Sequence, residues 1–418
     1  MYLNKRKEKS MKKISVVLIA ALVVSLLFGC GKSDDAKGTG KTTLSVWYWG
    51  EQEVPGYKAY MEEMVKRYEK KNPDIKVEAV LQESDNLYTA FRTAEAAGEG
   101  PDIQYMWGGT QAMEDVWKGN VAPISDYISE EELSVIPKSA LAQTNWNGKQ
   151  WGIPAYGFTY GIAYDKEAMR TAGVDPENPF TTWDEFLQMC EKIKKAGYTP
   201  IAASLLEIPH YWFEYSIYNF DSPTTHNTVP AKVDDAAGKA WVSGLEDIKT
   251  LYEKGYFPAN TLTAKDDETF QLFTNDKAAF LCDGSWKVGG IESAVKDPEN
   301  YTVTYVPGKG DRKSTDIIGG ISMGYYITKK AWDDPEKRAA AVDFVEYMTS
   351  DEMVSKFAGT GVTALKNGTT PADNMTALSK DAVTFSAGVT AISPAVQDNL
   401  SEAVRKPIFG EMSSIVQG

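Results

Sequence analysis

The sequence predicts an α/β protein of two domains, each a mainly parallel sheet flanked by helices, and three observations carry that expectation. Strand-like and helix-like stretches alternate from Leu44 to Trp107, the pattern of a parallel sheet with helical crossovers. About 375 residues of folded chain remain once an N-terminal targeting segment and the tether behind it are set aside, more than one compact core serves. The run IPAYGFTYGIAYDKEAM, Ile153 to Met169, has a period of two. Tyr156, Phe158, Tyr160, Ile162 and Tyr164 fall on one face of a strand and Gly157, Thr159, Gly161 and Ala163 on the other. The bare face admits a close neighbour, whereas the ringed face either fills a core or lines a cavity.

The chain opens on a targeting segment. Lys5, Arg6, Lys7, Lys9, Lys12 and Lys13 form a basic stretch before an apolar run, Ile14 to Phe28, broken only by Ser15 and Ser25. A bilayer span takes about 20 apolar residues, so the run suits a signal sequence, with an uncleaved signal anchor as the alternative. Met11 is a second candidate start. Leu27-Phe28-Gly29-Cys30 resembles a bacterial lipobox. That resemblance implies cleavage after residue 29 and a lipid, such as palmitate, on Cys30. From Gly31 to Lys41 no aliphatic or aromatic side chain exceeds Ala36, so residues 30–41 form a flexible tether and two acyl chains suffice for stable anchoring.

Loss of residues 1–29 removes six basic residues and Glu8, leaving 38 basic against 57 acidic residues, net −19. So acidic a surface disfavours nucleic acid and anionic membrane surfaces and suits a neutral ligand. Cys190 lies on the apolar face of a helix with Phe186, Leu187 and Ile193, and Cys282 follows Phe280-Leu281 in a strand. Two buried free thiols are expected, with a disulfide as the alternative. Two His and no Cys cluster give no zinc signature and no cofactor.

In chain order, Leu44–Trp49 is a strand. A helix follows with Tyr57, Tyr60, Met61, Met64, Val65 and Tyr68 on one stripe, stopped at Asn72-Pro73. Lys76–Leu81 is a strand, Leu87 to Gly98 a helix and Ile103–Trp107 a strand. Ligands of such sheets sit beyond the carboxyl ends of strands. The stretches there, Trp47 to Gln52 and Met106 to Thr110, each hold Trp followed by Gly; indole faces stack on sugar C–H surfaces while carboxylates and amides bond hydroxyls. Capping of the core by loop aromatics is the plainer reading. Thr182 and Glu185 form a capping box, and Tyr211, Trp212, Phe213, Tyr215 and Tyr218 crowd the segment after Ala202.

The crossover, a strand opening Gly-Ile-Pro and closing Tyr-Asp-Lys-Glu before a helix, resembles the family 1 extracellular solute-binding proteins. These are the substrate-binding lipoproteins of sugar ABC transporters, maltose-binding protein among them. The segment Asn275 to Trp286, NDKAAFLCDGSW, matches the family further through Phe273, Asn275, Lys277, Ala278, Ala279, Gly284 and Trp286, and Gly319-Gly320 looks like its return to the first lobe. The resemblance covers Lys41 to Ala364. It implies a two-lobe periplasmic-binding-protein fold, type II-like, with lobes 42–155 plus 317–363 and 156–316 plus 364–418. Crossings near residues 156, 317 and 363 act as the hinge.

It also implies a ligand site. Trp49, Glu51, Gln52 and Trp107 come from the first lobe, Tyr156, Phe158 and Gly320 from the crossings, and Glu207, Tyr211, Trp212, Asp283 and Trp286 from the second. Asp283 or Ser285 as a helix cap is the plainer alternative at the last place. The expected function is capture of a carbohydrate, an oligosaccharide, by a lipid-anchored monomer on the outer face of a bacterial cytoplasmic membrane, for delivery to an ABC permease. No catalysis is expected. The rivals are a secreted carbohydrate-active enzyme, for which no motif sets a carboxylate pair apart, and the same fold carrying a polyamine or peptide.

Overall fold

A computed structural model describes residues 40–418 except 52–55, 84–85, 135, 137–140, 208–209, 222–225, 227, 351 and 354–374. The signal peptide, Cys30, Gln52 and the crossing near residue 363 lie outside the described residues.

Alternating burial builds the first strands. β1 (Thr42–Tyr48) turns Leu44, Val46 and Tyr48 inward, pairing parallel with β2 (Ile75–Leu81) and β3 (Ile103–Trp107). Between β1 and β2 the helix Tyr57–Lys71 buries Tyr57, Met61, Met64 and Tyr68, the spacing of one helical face. Burying each such side chain is worth about 1.5–3 kcal/mol. Between β2 and β3 the helix Leu87–Ala97 ends on Gly98, whose left-handed φ of 74° closes the last turn. A hairpin, β4 (Asn145–Trp146) and β5 (Lys149–Gln150), leads into β6 (Gly152–Asp165).

β6 runs through the whole fold. Its first part, Gly152 to Thr159, pairs antiparallel with β10 (Asp316–Ile327). Its second part pairs with β8 (Ala278–Gly284) over Tyr160 to Tyr164 and with β9 (Tyr301–Thr304) over Ile162 to Asp165. β7 (Thr199–Ala202) lies parallel to β8, and β11 (Ala391–Ser393) parallel to β10. The resulting sheet has the order β2-β1-β3-β10-β6-β8-β7. At one end β1, β2, β3 and β6 share a direction and β10 opposes them; at the other β7, β8 and β9 run together against β6. Each end is thus mainly parallel with one opposed strand, as expected of the two-lobe fold.

Both faces of β6 are buried. On the bare side a Cβ at Gly161 would come within 3.1 Å of the Phe385 ring and of Thr304 O, so glycine is what lets helix Ala377–Ala387 and β9 approach. The helix Trp183–Lys195 carries the predicted capping box of Thr182 and Glu185. Asp334 caps the helix Pro335–Met348 by accepting from Glu336 N and Lys337 N. Cys190 and Cys282 are buried and free. No helix among the described residues is long and apolar enough to cross a membrane.

Candidate ligand-binding site

Two aromatic groups form where parallel strands end. Beyond β1 and β3, Trp49 stacks on Trp107 with ring centroids 4.2 Å apart, and Tyr88 lies 6.0 Å from Trp107 on its helix. Tyr88 also donates its hydroxyl to Trp107 O at 3.0 Å. Trp49 is 6% exposed, and its indole nitrogen is buried with no hydrogen-bond partner among the described residues. Beyond β8, Trp286 meets Phe158 and Tyr160 edge-on at 5.6 Å each and Tyr211 at 5.9 Å. Tyr211 lies 4.7 Å from Tyr160.

Backbone ties fix the second group. Ser285 N donates to Thr159 O at 2.9 Å and Thr159 N to Ser285 Oγ at 3.4 Å, which locks the loop carrying Trp286 to the crossover strand. Neither Asp283 nor Ser285 caps the helix Lys287–Ala294 by side chain; Trp286 itself occupies the cap position. The two groups are linked through the sheet register. Met323 pairs with both Trp107 and Tyr156, and directly paired side chains share a face. Trp107 and Tyr156 therefore point the same way, with Phe158 and Tyr160 following at steps of two. Behind them Gly320, at φ +135°, pairs with Phe158, while a Cβ at Gly319 would come within 2.6 Å of Phe158 O.

The other expected residues are placed differently. Glu51 accepts from Gly56 N at 3.2 Å and Lys58 N at 2.6 Å, so its carboxylate serves the N-terminus of helix Tyr57–Lys71. Glu207 does the same for helix Asp266–Thr274 through Asp266 N at 2.8 Å. Trp212, 1% exposed, stacks on Phe186 at 5.7 Å. The pairing of Asp283 with Gly161 turns its carboxyl to the bare face of β6. There it lines a small cavity with Thr159, Gly161 and Lys287. Burial pushes this carboxyl up to about 7; Lys287, 4.0 Å away, opposes that and Asp266 adds to it.

A further element, the turn Val396–Asn399 near the C-terminus, was not anticipated from the sequence. Val396 N donates to Glu214 Oε2 at 2.8 Å and Gln397 Nε2 to the Tyr160 hydroxyl at 2.9 Å. A Cβ at Gly109, just past Trp107, would collide with Asp398 O. Burial holds Glu214 well above the ordinary carboxylate range, with Asp398 adding to it. Asp398 itself is pushed up to about 7 by burial, against the pull of Arg405.

Comparison with known proteins now bears on this arrangement. Residues 51–354 match the family described as bacterial extracellular solute-binding protein. The chain belongs to that family. Among curated relatives it is 23% identical over 364 residues to the multiple sugar-binding protein of Streptococcus mutans, covering 83% of this chain and 80% of that one. To the melibiose/raffinose/stachyose-binding protein MelE of Bacillus subtilis it is 23% identical over 373 residues, 86% and 82% of the two chains. Among solved structures a chitin oligosaccharide binding protein superposes with a TM-score of 0.78 at 24% identity, over 90% of this chain and 94% of that one. The GacH receptor of Streptomyces glaucescens, solved unliganded and with acarbose, gives 0.73 at 20% identity over 90% and 94%. The family assignment makes this an extracellular solute-binding protein of two lobes.

Proposed function

We propose that this solute-binding protein captures a carbohydrate, an oligosaccharide, between its lobes and delivers it to the permease of an ABC importer. The observation that carries the reading is the pair of aromatic groups at the strand ends, Trp49–Trp107–Tyr88 and Phe158–Tyr160–Tyr211–Trp286. Both are built from rings that stack on sugars, and both point from one face of a shared sheet. The names of the relatives support the substrate class.

In this reading the lobes are 42–155 with 317–363 and 156–316 with 364–418. The ligand favours the closed state because it touches both. Residues 1–29 are the signal peptide, Cys30 carries the lipid, and the protein works as a monomer tethered outside the cytoplasmic membrane. It binds and does not turn its ligand over; release of sugar from a glycoside by the purified protein would overturn that part.

The test is a thermal-shift screen of residues 31–418 against mono- and oligosaccharides, with spermidine and short peptides as controls. Ligand at 100 times its dissociation constant adds about 2.7 kcal/mol of stability. A rise confined to one sugar class and lost in Trp286→Ala is expected. A rise only with the amine or peptide would keep the fold and overturn the carbohydrate.

A further inference from the structure

The turn Val396–Asn399 touches both ends of the sheet. On one side its backbone is held by Glu214 and its Gln397 side chain by Tyr160. On the other, Asp398 O packs against Gly109 at the start of helix Gly109–Lys118, one residue beyond the Gly that follows Trp107. It is therefore wedged between the two aromatic groups.

Asp398 is 6% exposed; its backbone N–H donates to Ala395 O at 3.1 Å, and Arg405 pulls on its carboxyl. Keeping a nearly buried carboxylate charged costs free energy, and a ligand that supplies donors relieves the cost. On the Trp107 side the buried indole N–H of Trp49 has no acceptor among the described residues. A nearly buried carboxyl on the turn and an indole N–H without an acceptor on the Trp107 side offer both roles that a sugar hydroxyl, able to give and take, satisfies.

We propose that Asp398 is a specificity-determining residue of the ligand site, its carboxylate accepting hydrogen bonds from hydroxyls of the sugar ring that stacks at Trp107, with Gln397 as the residue that positions it. The inference rests on the carbohydrate reading above. The charged and titratable groups around Asp398 are few. Glu214 comes from helix His210–Tyr218, Tyr160 from β6 and Arg405 from helix Glu402–Gly410. On helix Gly109–Lys118, Glu114 and Asp115 are both held by Arg92. Arg405 acts on the carboxyl electrostatically but makes no salt bridge with it among the described residues.

The experiment is calorimetric titration of the best sugar from the panel into wild type, Asp398→Asn and Gln397→Ala at pH 6, 7 and 8, with thermal melts to show that each is folded. A hydrogen bond to a charged group is worth about 1.5–3 kcal/mol, so Asp398→Asn is expected to bind about 10- to 100-fold more weakly. Wild-type affinity is expected to fall as pH drops from 8 to 6, approaching about tenfold per unit below pH 7, and that slope is expected to vanish in Asp398→Asn. Gln397→Ala should weaken binding less and keep the slope. Equal affinity and an equal slope in Asp398→Asn would overturn the inference while leaving the carbohydrate reading intact. A wild type whose affinity is flat from pH 8 to 6 would also overturn it, whatever the variants do. A folded wild type that binds no sugar removes the carbohydrate reading and this inference with it.

Discussion

A methyl group at position 284 tests how Trp286 is held. Gly284 pairs with Tyr160 across β6 and β8, and a Cβ there would fall inside the Trp286 indole, nearest Cζ3, Cη2 and Cε3. The backbone at Gly284 is outside the left-handed region, so in Gly284→Ala the strand stays and the indole moves. It then loses its edge contacts to Phe158 and Tyr160 at 5.6 Å and to Tyr211 at 5.9 Å. Aromatic pairs are worth about 0.5–1.5 kcal/mol each beyond area burial. Three of them, partly remade elsewhere, put the loss of stability at about 1–3 kcal/mol. The same displacement removes a stacking surface, and one lost stacking contact of about 1.4 kcal/mol is a tenfold weaker complex. Urea denaturation reads the first effect through the midpoint at unchanged slope; titration calorimetry with the preferred sugar reads the second. A Gly284→Ala protein with wild-type midpoint and affinity would refute the reasoning, because it would mean that the indole is not fixed by this packing.

Other outcomes follow from the same geometry. The Tyr215 hydroxyl donates to Tyr160 O at 2.7 Å and accepts from Ile318 N at 3.1 Å, so Tyr215→Phe leaves two buried backbone groups unpaired. A loss of about 1–3 kcal/mol is expected for each uncompensated group, read by denaturant melts; a change below 0.5 kcal/mol, on the order of a neutral surface substitution, would contradict it. Stability should also depend on pH in opposite ways through two sets of buried groups. Asp283 and Asp398, raised to about 7 in the fold, contribute stability present below the ordinary carboxylate range and lost as pH rises through 7. His226, lowered to about 4 by burial, contributes stability present above the ordinary imidazole value and lost as pH falls from about 6.5 toward 4. Both contributions change in the same window below about pH 7 and with opposite sign, so melting temperature should rise more steeply with pH from 4 to 7 in Asp398→Asn and fall more steeply in His226→Gln than in wild type; curves parallel to wild type would contradict both assignments.

What the sequence disclosed and what it hid have physical reasons. Elements with a period or a cap were legible: the stripe Tyr57, Met61, Met64, Tyr68, the Thr182–Glu185 box, the alternation in β6. The Trp residues at strand ends could be located because a strand's end is a place on the sheet. Side-chain direction was harder. Asp283 sits one residue from Gly284, yet strand alternation sends its carboxyl to the bare face of β6, a result readable only once Gly161 is known as its partner. Glu51 and Glu207 are drawn to free amides at helix starts that lie five or more residues away in sequence. The turn Val396–Asn399 has neither periodicity nor a motif; its place is fixed by contacts with Glu214, Tyr160 and Gly109, all remote along the chain.

The relation between the two ends of the sheet rests on β6 and β10. Their pairing is interrupted by register shifts around Met323, and backbone approaches side chain-free positions there: a Cβ at Gly324 would come within 2.6 Å of Ile153 O, as one at Gly319 would of Phe158 O. Broken register and bare positions lower the resistance of a strand pair to bending and twisting. Rigidity is added just beyond, where the Tyr215 hydroxyl bridges β6 to β10. Arg312 stacks on Tyr215 at 5.0 Å while donating to Asn219 Oδ1 at 2.8 Å. A flexible stretch bounded by a clamp is the arrangement in which two rigid ends can rotate about a short segment. Phe158, which meets Trp286, lies on that segment opposite Gly320. A ligand stacked there would feel any rotation directly, so in the proposed mechanism the strand that bends and the strand that reads the sugar are the same.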